Sequence, residues 1–252
     1  MGVLPGRQSP FDNGVHYDAG CTSLKRLAMI MLHHLNNSRS QRILWLLEEL
    51  GVPYEIKRYQ RDAETMLAPP ELRAIHPLGK SPVITDGALT IAESGAIIEY
   101  LIERYAQGRL IPAAGTPERL RYTYWLHYAE GSAMPPLLIK LIFDKIESAP
   151  MPFFVKPIAK GIAAKVKQSF IAPRIAENLD YMEAELGKSS WFAGDAMTGA
   201  DIQLSFVLEA CAARGGLNQS RPRLMAFLQR IHELPAYKRA LERGGQYSIM
   251  GG

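Results

Sequence analysis

Hydrophobic and polar positions follow one rhythm up to about residue 105 and another beyond it. The short apolar-rich run Ile30–Leu35 has strand length, and the turn residues Asn36 to Ser40 separate it from Ile43, Leu44, Leu46, Leu47 and Leu50, which fall on one face of a helix. Gly51 and Pro53 stop that helix. Tyr54–Tyr59 reads as a second strand, and a helix between two strands predicts parallel pairing with a right-handed connection. Residues 60–74 form a connection with a short helix around Pro70–Ala74. Val83–Thr85 and Leu89–Ile91 flank Asp86-Gly87, whose readiness for positive φ predicts an antiparallel hairpin. Glu93-Ser94 then opens a helix with Ile97, Ile98, Leu101 and Ile102 on one face, ending near Tyr105.

Gly108, Pro112 and Gly115 break the pattern, so residues 108–115 read as a linker between two domains, with Thr116 capping a helix that has Pro117 in its first turn. From there the helical period continues through Leu120–Leu138, Pro157–Leu186, Ala200–Arg214, Arg223–Glu233 and Ala236–Arg243. The prolines from Pro150 to Pro157 leave the start of the second of these open, as a lid or an insertion. Thr198 and Asp201 stand at the spacing of a capping box, with Met197 placed to staple onto Ile202. Residues 1–27, rich in glycine and proline without periodicity, are expected to be an irregular extension. The expected architecture is an α/β domain over 28–107 followed by an all-α domain over 116–252.

Composition changes this picture little. Of 252 residues, 47% are hydrophobic and 21% charged, enough for one large core or two smaller ones. No apolar run approaches the roughly 20 residues that span a bilayer, so neither a membrane partner nor a secretion signal is expected, and the cytoplasm is the default location. The net charge of +4 is spread among acidic neighbours rather than gathered into an arm, which argues against nucleic acid. Cys21 and Cys211 are the only cysteines and have no paired spacing, so neither a disulfide framework nor a metal site is indicated.

The chemistry concentrates in IHPLGKSPVITDGALTIAES, Ile75 to Ser94. Pro82 stands where a strand begins, a place where its missing N–H costs no ladder bond, and an X–Pro bond tolerates cis. A cis bond there would turn the backbone of Val83 outward, where a peptide-like ligand could pair with it as another strand would. The helix opening at Ser94 offers free amides and a positive dipole end to a carboxylate. An ordinary hairpin and helix cap fit the same residues.

The order of these features, after an upstream strand and helix, resembles the glutathione transferase family, and the phrases SRSQRILWLLEELGVPYE and PPELRAIHPLGKSPV are similar to its fungal and bacterial branch. The resemblance runs from about Met31 to Gln246. It implies a thioredoxin-like N-terminal domain, an all-helical C-terminal domain, a C2 homodimer, and glutathione as co-substrate without a metal. By the resemblance, Pro82 and Val83 hold the peptide backbone of glutathione, Glu93 takes its γ-glutamyl ammonium, Ser94 the adjoining carboxylate, and Lys80 or Arg39 the glycyl carboxylate. Asn37 stands where serine-type members carry the catalytic Ser, so Ser38, Asn37 and Ser40, in that order, are the expected donors to the thiol. The loop has no cysteine, which demotes disulfide reduction. His33, His34 and His76 are expected to be structural, and Thr198 and Asp201 to serve folding.

A glutathione thiol with the ordinary pKa of about 8.5 is only slightly ionised at neutral pH, yet the thiolate is the nucleophile. Lowering that pKa by about two units takes roughly 2.7 kcal/mol, within reach of one donor and a helix N-terminus. Tyr124, Tyr128, Met134, Leu137 and Leu138 either line a pocket for an apolar electrophile or pack the helical core. The expected activity is conjugation of glutathione to that electrophile; the alternatives are a glutathione-binding regulatory protein without catalysis and a glutathione-dependent isomerase or peroxidase.

Overall fold

The computed structural model describes residues 29–65, 67–245 and 247; the extension expected over 1–27 lies outside them. Strand β1 (Ile30–Leu35) leads through the Asn36–Arg39 turn into helix α1 (Ser40–Leu50), which Gly51 ends at φ 68° with its N–H on the Leu47 carbonyl. Strand β2 (Tyr54–Tyr59) pairs with β1 in parallel, Leu32 opposite Ile56, as the crossover helix demands. A short helix, α2 (Glu71–Ile75), precedes the hairpin of β3 (Val83–Asp86) and β4 (Leu89–Ala92), and β3 lies antiparallel to both β1 and β4. The sheet order is β2-β1-β3-β4. Helix α3 (Ser94–Tyr105) packs its Ile97, Ile98, Leu101 and Ile102 into the core, the face read from the periodicity.

Beyond Pro117 the described residues are mainly helical, in longer and more broken pieces than the sequence suggested. Helix α4 (Pro117–Tyr128) passes through a wide π-helical turn at Ala129–Ala133 into α5 (Met134–Ser148), ten residues past the expected end at Leu138. Pro135 and Pro136 explain the turn: each lacks an N–H and crowds a carbonyl one turn back, and widening the helix just before them relieves both. The same device joins α6 (Lys156–Val166) to α7 (Ala172–Glu185) ahead of Pro173, through a π turn at Lys167–Ile171. Residues 149–155 are thus the bend of a helical hairpin.

Helix α8 (Gly199–Ala210) is buried at every one of its 12 residues. The Asp201 carboxylate caps it, accepting from Thr198 N at 2.8 Å, Thr198 Oγ1 at 2.9 Å and Phe192 N at 3.0 Å. Burial nevertheless raises its pKa to about 6 against those donors. Gly199 lets the helix start lie against α3, since a Cβ there would meet Ile102 Cδ1 at 2.5 Å. Helices α9 (Pro222–Glu233) and α10 (Pro235–Gly244) are the last two among the described residues. One apolar core runs through both parts: α1 has the sheet on one side and α8 and α10 on the other, so Trp45 is fully buried and meets Tyr237 edge-on at 5.4 Å.

Candidate functional site

Pro82 follows a cis peptide bond, as the Ser-Pro-Val phrase suggested, and the chain around it is fastened by a side chain that the sequence reading passed over. Ser81 Oγ donates to the His33 carbonyl at 2.9 Å and accepts from Leu35 N at 3.3 Å, tying the proline loop to β1. The Val83 side chain enters the core, opposite His33 and Ala92. At the far end of the hairpin Glu93 sits at φ 71°, ψ 124°, a sparsely populated conformation for a residue with a side chain, costing on the order of 1–3 kcal/mol. That turn lets its carbonyl accept from Ile97 N at 2.9 Å and directs the start of α3 toward the loop.

Between the two lies a cleft of about 310 Å³ lined by Arg39, Lys80, Ser81, Pro82, Glu93 and Ser94, with Glu130 and Leu138 on the helical side and His76 and Leu78 at the edge. The structure therefore brings together Arg39, Lys80, Pro82, Glu93 and Ser94 from the expected set.

What fixes the far wall is Arg42, which the sequence reading did not single out. Its guanidinium is fully buried and joins four elements: Nη2 donates to Ser94 Oγ at 3.2 Å and to the Glu130 carboxylate, Nη1 donates to the Gln203 carbonyl at 2.5 Å, and the group lies 5.5 Å from the Phe206 ring centre. Burial pulls the Arg42 pKa down, with Glu130 opposing. Burial also lifts Glu130, but Arg42 and Arg39 outweigh it and hold the carboxyl below its usual range. Arg39 Nε donates to both Glu130 oxygens, at 3.0 and 3.1 Å. A signal was present in the sequence: Arg42 lies one turn before Leu46 on the face that α1 buries, and a cation there needs a carboxylate.

The Ser94 hydroxyl accepts from Arg42, so its single proton remains to be donated. Lys80 is exposed and forms no ion pair among the described residues.

The β1–α1 loop is arranged the other way. Ser38 Oγ and Ser40 Oγ are 2.7 Å apart, Ser40 Oγ is 2.9 Å from His34 Nδ1, and Ser38 also accepts from Ser40 N at 3.2 Å. The His34 ring donates to the Gly244 carbonyl, and burial first, with Arg58 second, lowers its pKa to about 4. The imidazole is thus neutral with Nδ1 as acceptor and Ser40 donates to it, so Ser38 donates to Ser40 at 2.7 Å, with Ser81 Oγ a longer second acceptor at 3.5 Å. Ser40 is fully buried, and neither it nor Ser38 nor Asn37 lines the cleft. Asn37 is half-buried at φ 48°, the left-handed conformation that Asn tolerates.

Tyr124 and Tyr128 fall outside the cleft. They stack on each other at 5.6 Å and meet Trp125 and Tyr181, while Met134 and Leu137 join the core; only Leu138 of that group reaches the cleft. His33 is buried with Nδ1 2.9 Å from Tyr59 Oη. Among the described residues no cluster of His, Cys, Asp or Glu has the grouping to hold a metal ion, and no helix is long and apolar enough to cross a membrane.

A thioredoxin-like sheet domain with a cis proline at a cleft, closed on its other side by an all-helical domain, defines the class. The family follows from comparison: residues 27–103 match the glutathione S-transferase N-terminal domain and residues 143–235 its C-terminal domain, and the chain belongs to the glutathione S-transferase family. It is 33% identical over 225 residues to glutathione S-transferase 1 of Saccharomyces cerevisiae, covering 86% of this chain and 96% of that protein. It is 36% identical over 217 residues to glutathione S-transferase 3 of Schizosaccharomyces pombe, covering 85% and 88%. A glutathione S-transferase crystal structure from Actinobacillus pleuropneumoniae superposes with a TM-score of 0.70 at 36% identity, covering 86% and 93%.

Proposed function

We propose that the protein binds glutathione in the cleft at Pro82 and transfers its thiolate to an apolar electrophile. The observation that carries this reading is the convergence of Glu93 and the outward-donating Ser94 at the start of α3 with the cis-Pro82 loop in one cleft of ligand size. Glu93 then takes the γ-glutamyl ammonium, and Ser94 with the first amides of α3 takes the adjoining carboxylate. The backbone at the start of β3, by Val83, receives the peptide, and Lys80 the glycyl carboxylate. Arg39 is the weaker candidate for that group, because its Nε is already held by Glu130. Leu138 marks the side from which an apolar second substrate arrives.

The thiol lies against the β1–α1 loop in this reading. The Ser38 proton is directed into the interior, so the Asn37 amide becomes the donor to sulfur ahead of Ser38, with Ser40 last. The protein acts as a cytoplasmic homodimer, checked by sedimentation velocity. Titration calorimetry with glutathione tests the site, and steady-state turnover of a chloro-nitroaromatic tests the reaction. Absence of heat with the wild-type chain overturns both.

A second reading, a glutathione-binding protein without useful catalysis, is favoured by one observation: both hydroxyls of the loop face inward. Binding without turnover would select it.

A further inference from the structure

Helices α5 and α6 form an arm whose outer surface does not resemble that of a water-facing hairpin. Helix α6 packs chiefly on α5, and Ala163 is its only buried residue. Among its exposed lysines stand apolar side chains: Ile158 and Ile162, one turn apart, are 64% and 59% exposed, and Phe153 and Phe154 at the bend before them are 87% and 63% exposed. Helix α5 carries a parallel stripe of exposed Leu138, Ile142 and Ile146. Exposed apolar side chains gathered on neighbouring helices in this way mark an interaction site.

Charge identifies the partner. From Ser148 to Ala176 there is no Asp or Glu, against five cations, Lys156, Lys160, Lys165, Lys167 and Arg174. The neighbouring carboxylates of α5 are already occupied, Asp144 by Lys140 and Lys167 and Glu147 by Lys167. Among the described residues Lys145, Lys156, Lys160 and Lys165 form no ion pair. A second copy docked on this face by a two-fold axis would oppose the same lysines with no carboxylate between them. A bilayer carrying anionic headgroups satisfies both features, taking the aromatic and branched side chains at its acyl boundary and the ammonium groups among the phosphates.

We propose that the α5–α6 arm is a peripheral docking element for anionic lipid bilayers, with Phe153 and Phe154 entering the interface and Lys156 and Lys160 engaging headgroups. This departs from the expectation, drawn from the lack of a spanning segment, that no membrane takes part. The α5 stripe begins at Leu138 on the cleft wall, so docking would set the cleft at the end of an apolar surface that starts in the lipid.

The test is co-sedimentation of the full chain with phosphatidylcholine vesicles containing roughly one-third phosphatidylserine, beside vesicles of phosphatidylcholine alone, at about 0.1 M salt. The expected result is binding about tenfold stronger to the phosphatidylserine vesicles. The double variant Phe153→Ser/Phe154→Ser should lose about tenfold on both compositions, while Lys156→Glu/Lys160→Glu removes the preference for phosphatidylserine. These side chains touch little of the core, so circular dichroism and Tm of both variants should match the wild type. Failure of the wild-type chain to sediment with phosphatidylserine vesicles overturns the proposal, as does wild-type sedimentation by the phenylalanine variant. A dimer that falls apart in that variant, with no vesicle binding by the wild type, assigns the face to a second copy and equally overturns it.

Discussion

Ser38 and Ser94 are each 4% exposed, each hydrogen-bonded, and each at or just before a helix start, yet their hydroxyls are committed in opposite ways. Ser94 accepts from a cation, which frees its proton for a ligand. Ser38 stands at the end of a chain that begins at a carbonyl of α10 and runs through His34 and Ser40, and its proton points inward. Residue type and burial are the same in the two places; the donor or acceptor on the inner side decides what is left for a substrate. The β4–α3 corner thus leaves a hydroxyl proton on the cleft side, and the β1–α1 loop holds a neutral histidine.

The largest test of this contrast is Arg42→Leu, which removes the donor behind Ser94 and leaves Glu130 with Arg39 alone. Urea unfolding should show a loss of about 3–5 kcal/mol, and Arg42→Leu/Glu130→Leu should recover part of it. A loss below about 1 kcal/mol would mean that the corner does not depend on this cation.

The next concerns pH. His34 titrates at about 4 folded against an ordinary 6.5, so its contribution is complete above pH 6.5 and is lost as pH falls toward 4. The shift of about 2.5 units amounts to about 3 kcal/mol. Asp201, raised to about 6, runs the opposite way, its contribution fading as pH rises toward 6, and it partly flattens the wild-type profile. Comparing wild type with His34→Gln cancels Asp201: the penalty of the substitution should shrink by about 3 kcal/mol between pH 7 and pH 4.

Smaller effects belong to the ligand. Ser94→Ala and Glu93→Ala should each weaken glutathione binding about tenfold, about 1.4 kcal/mol, in calorimetry. Unchanged affinity in both would place the ligand elsewhere. The smallest effect separates the two loop donors. Asn37→Ala should raise the pKa of bound glutathione by about half a unit, roughly 0.7 kcal/mol, in the thiolate absorbance profile, with Ser38→Ala moving it less. The reverse order would show that the Ser38 proton turns outward when thiolate is present.

Local features were legible in the sequence. The Asp86-Gly87 hairpin, the stop at Gly51, the capping box at Asp201 and the start of α3 each rest on a few adjacent residues, and each was read where it stands. The Arg42–Glu130 pair joins residues 88 apart in sequence, and only the packing of α1 against the helical part brings them together. The helix expected over Leu120–Leu138 runs on through α5 to Ser148, a π turn ahead of Pro135-Pro136 keeping it continuous. The direction of the Ser38 proton depends on a histidine tautomer fixed by α10, which no local pattern encodes.

The position of α1 has a consequence for the order in which the chain can become a protein. This helix is made well before the segments that cover it, and its outer surface is sealed by α8 and by α10, the last helix described. Trp45 waits on Tyr237, nearly two hundred residues later. A ribosome releasing the sheet early therefore exposes a helix apolar on both sides, and the nascent chain must be kept from sticking until α10 emerges. Two segments far apart along the chain are thus completed in one folding event.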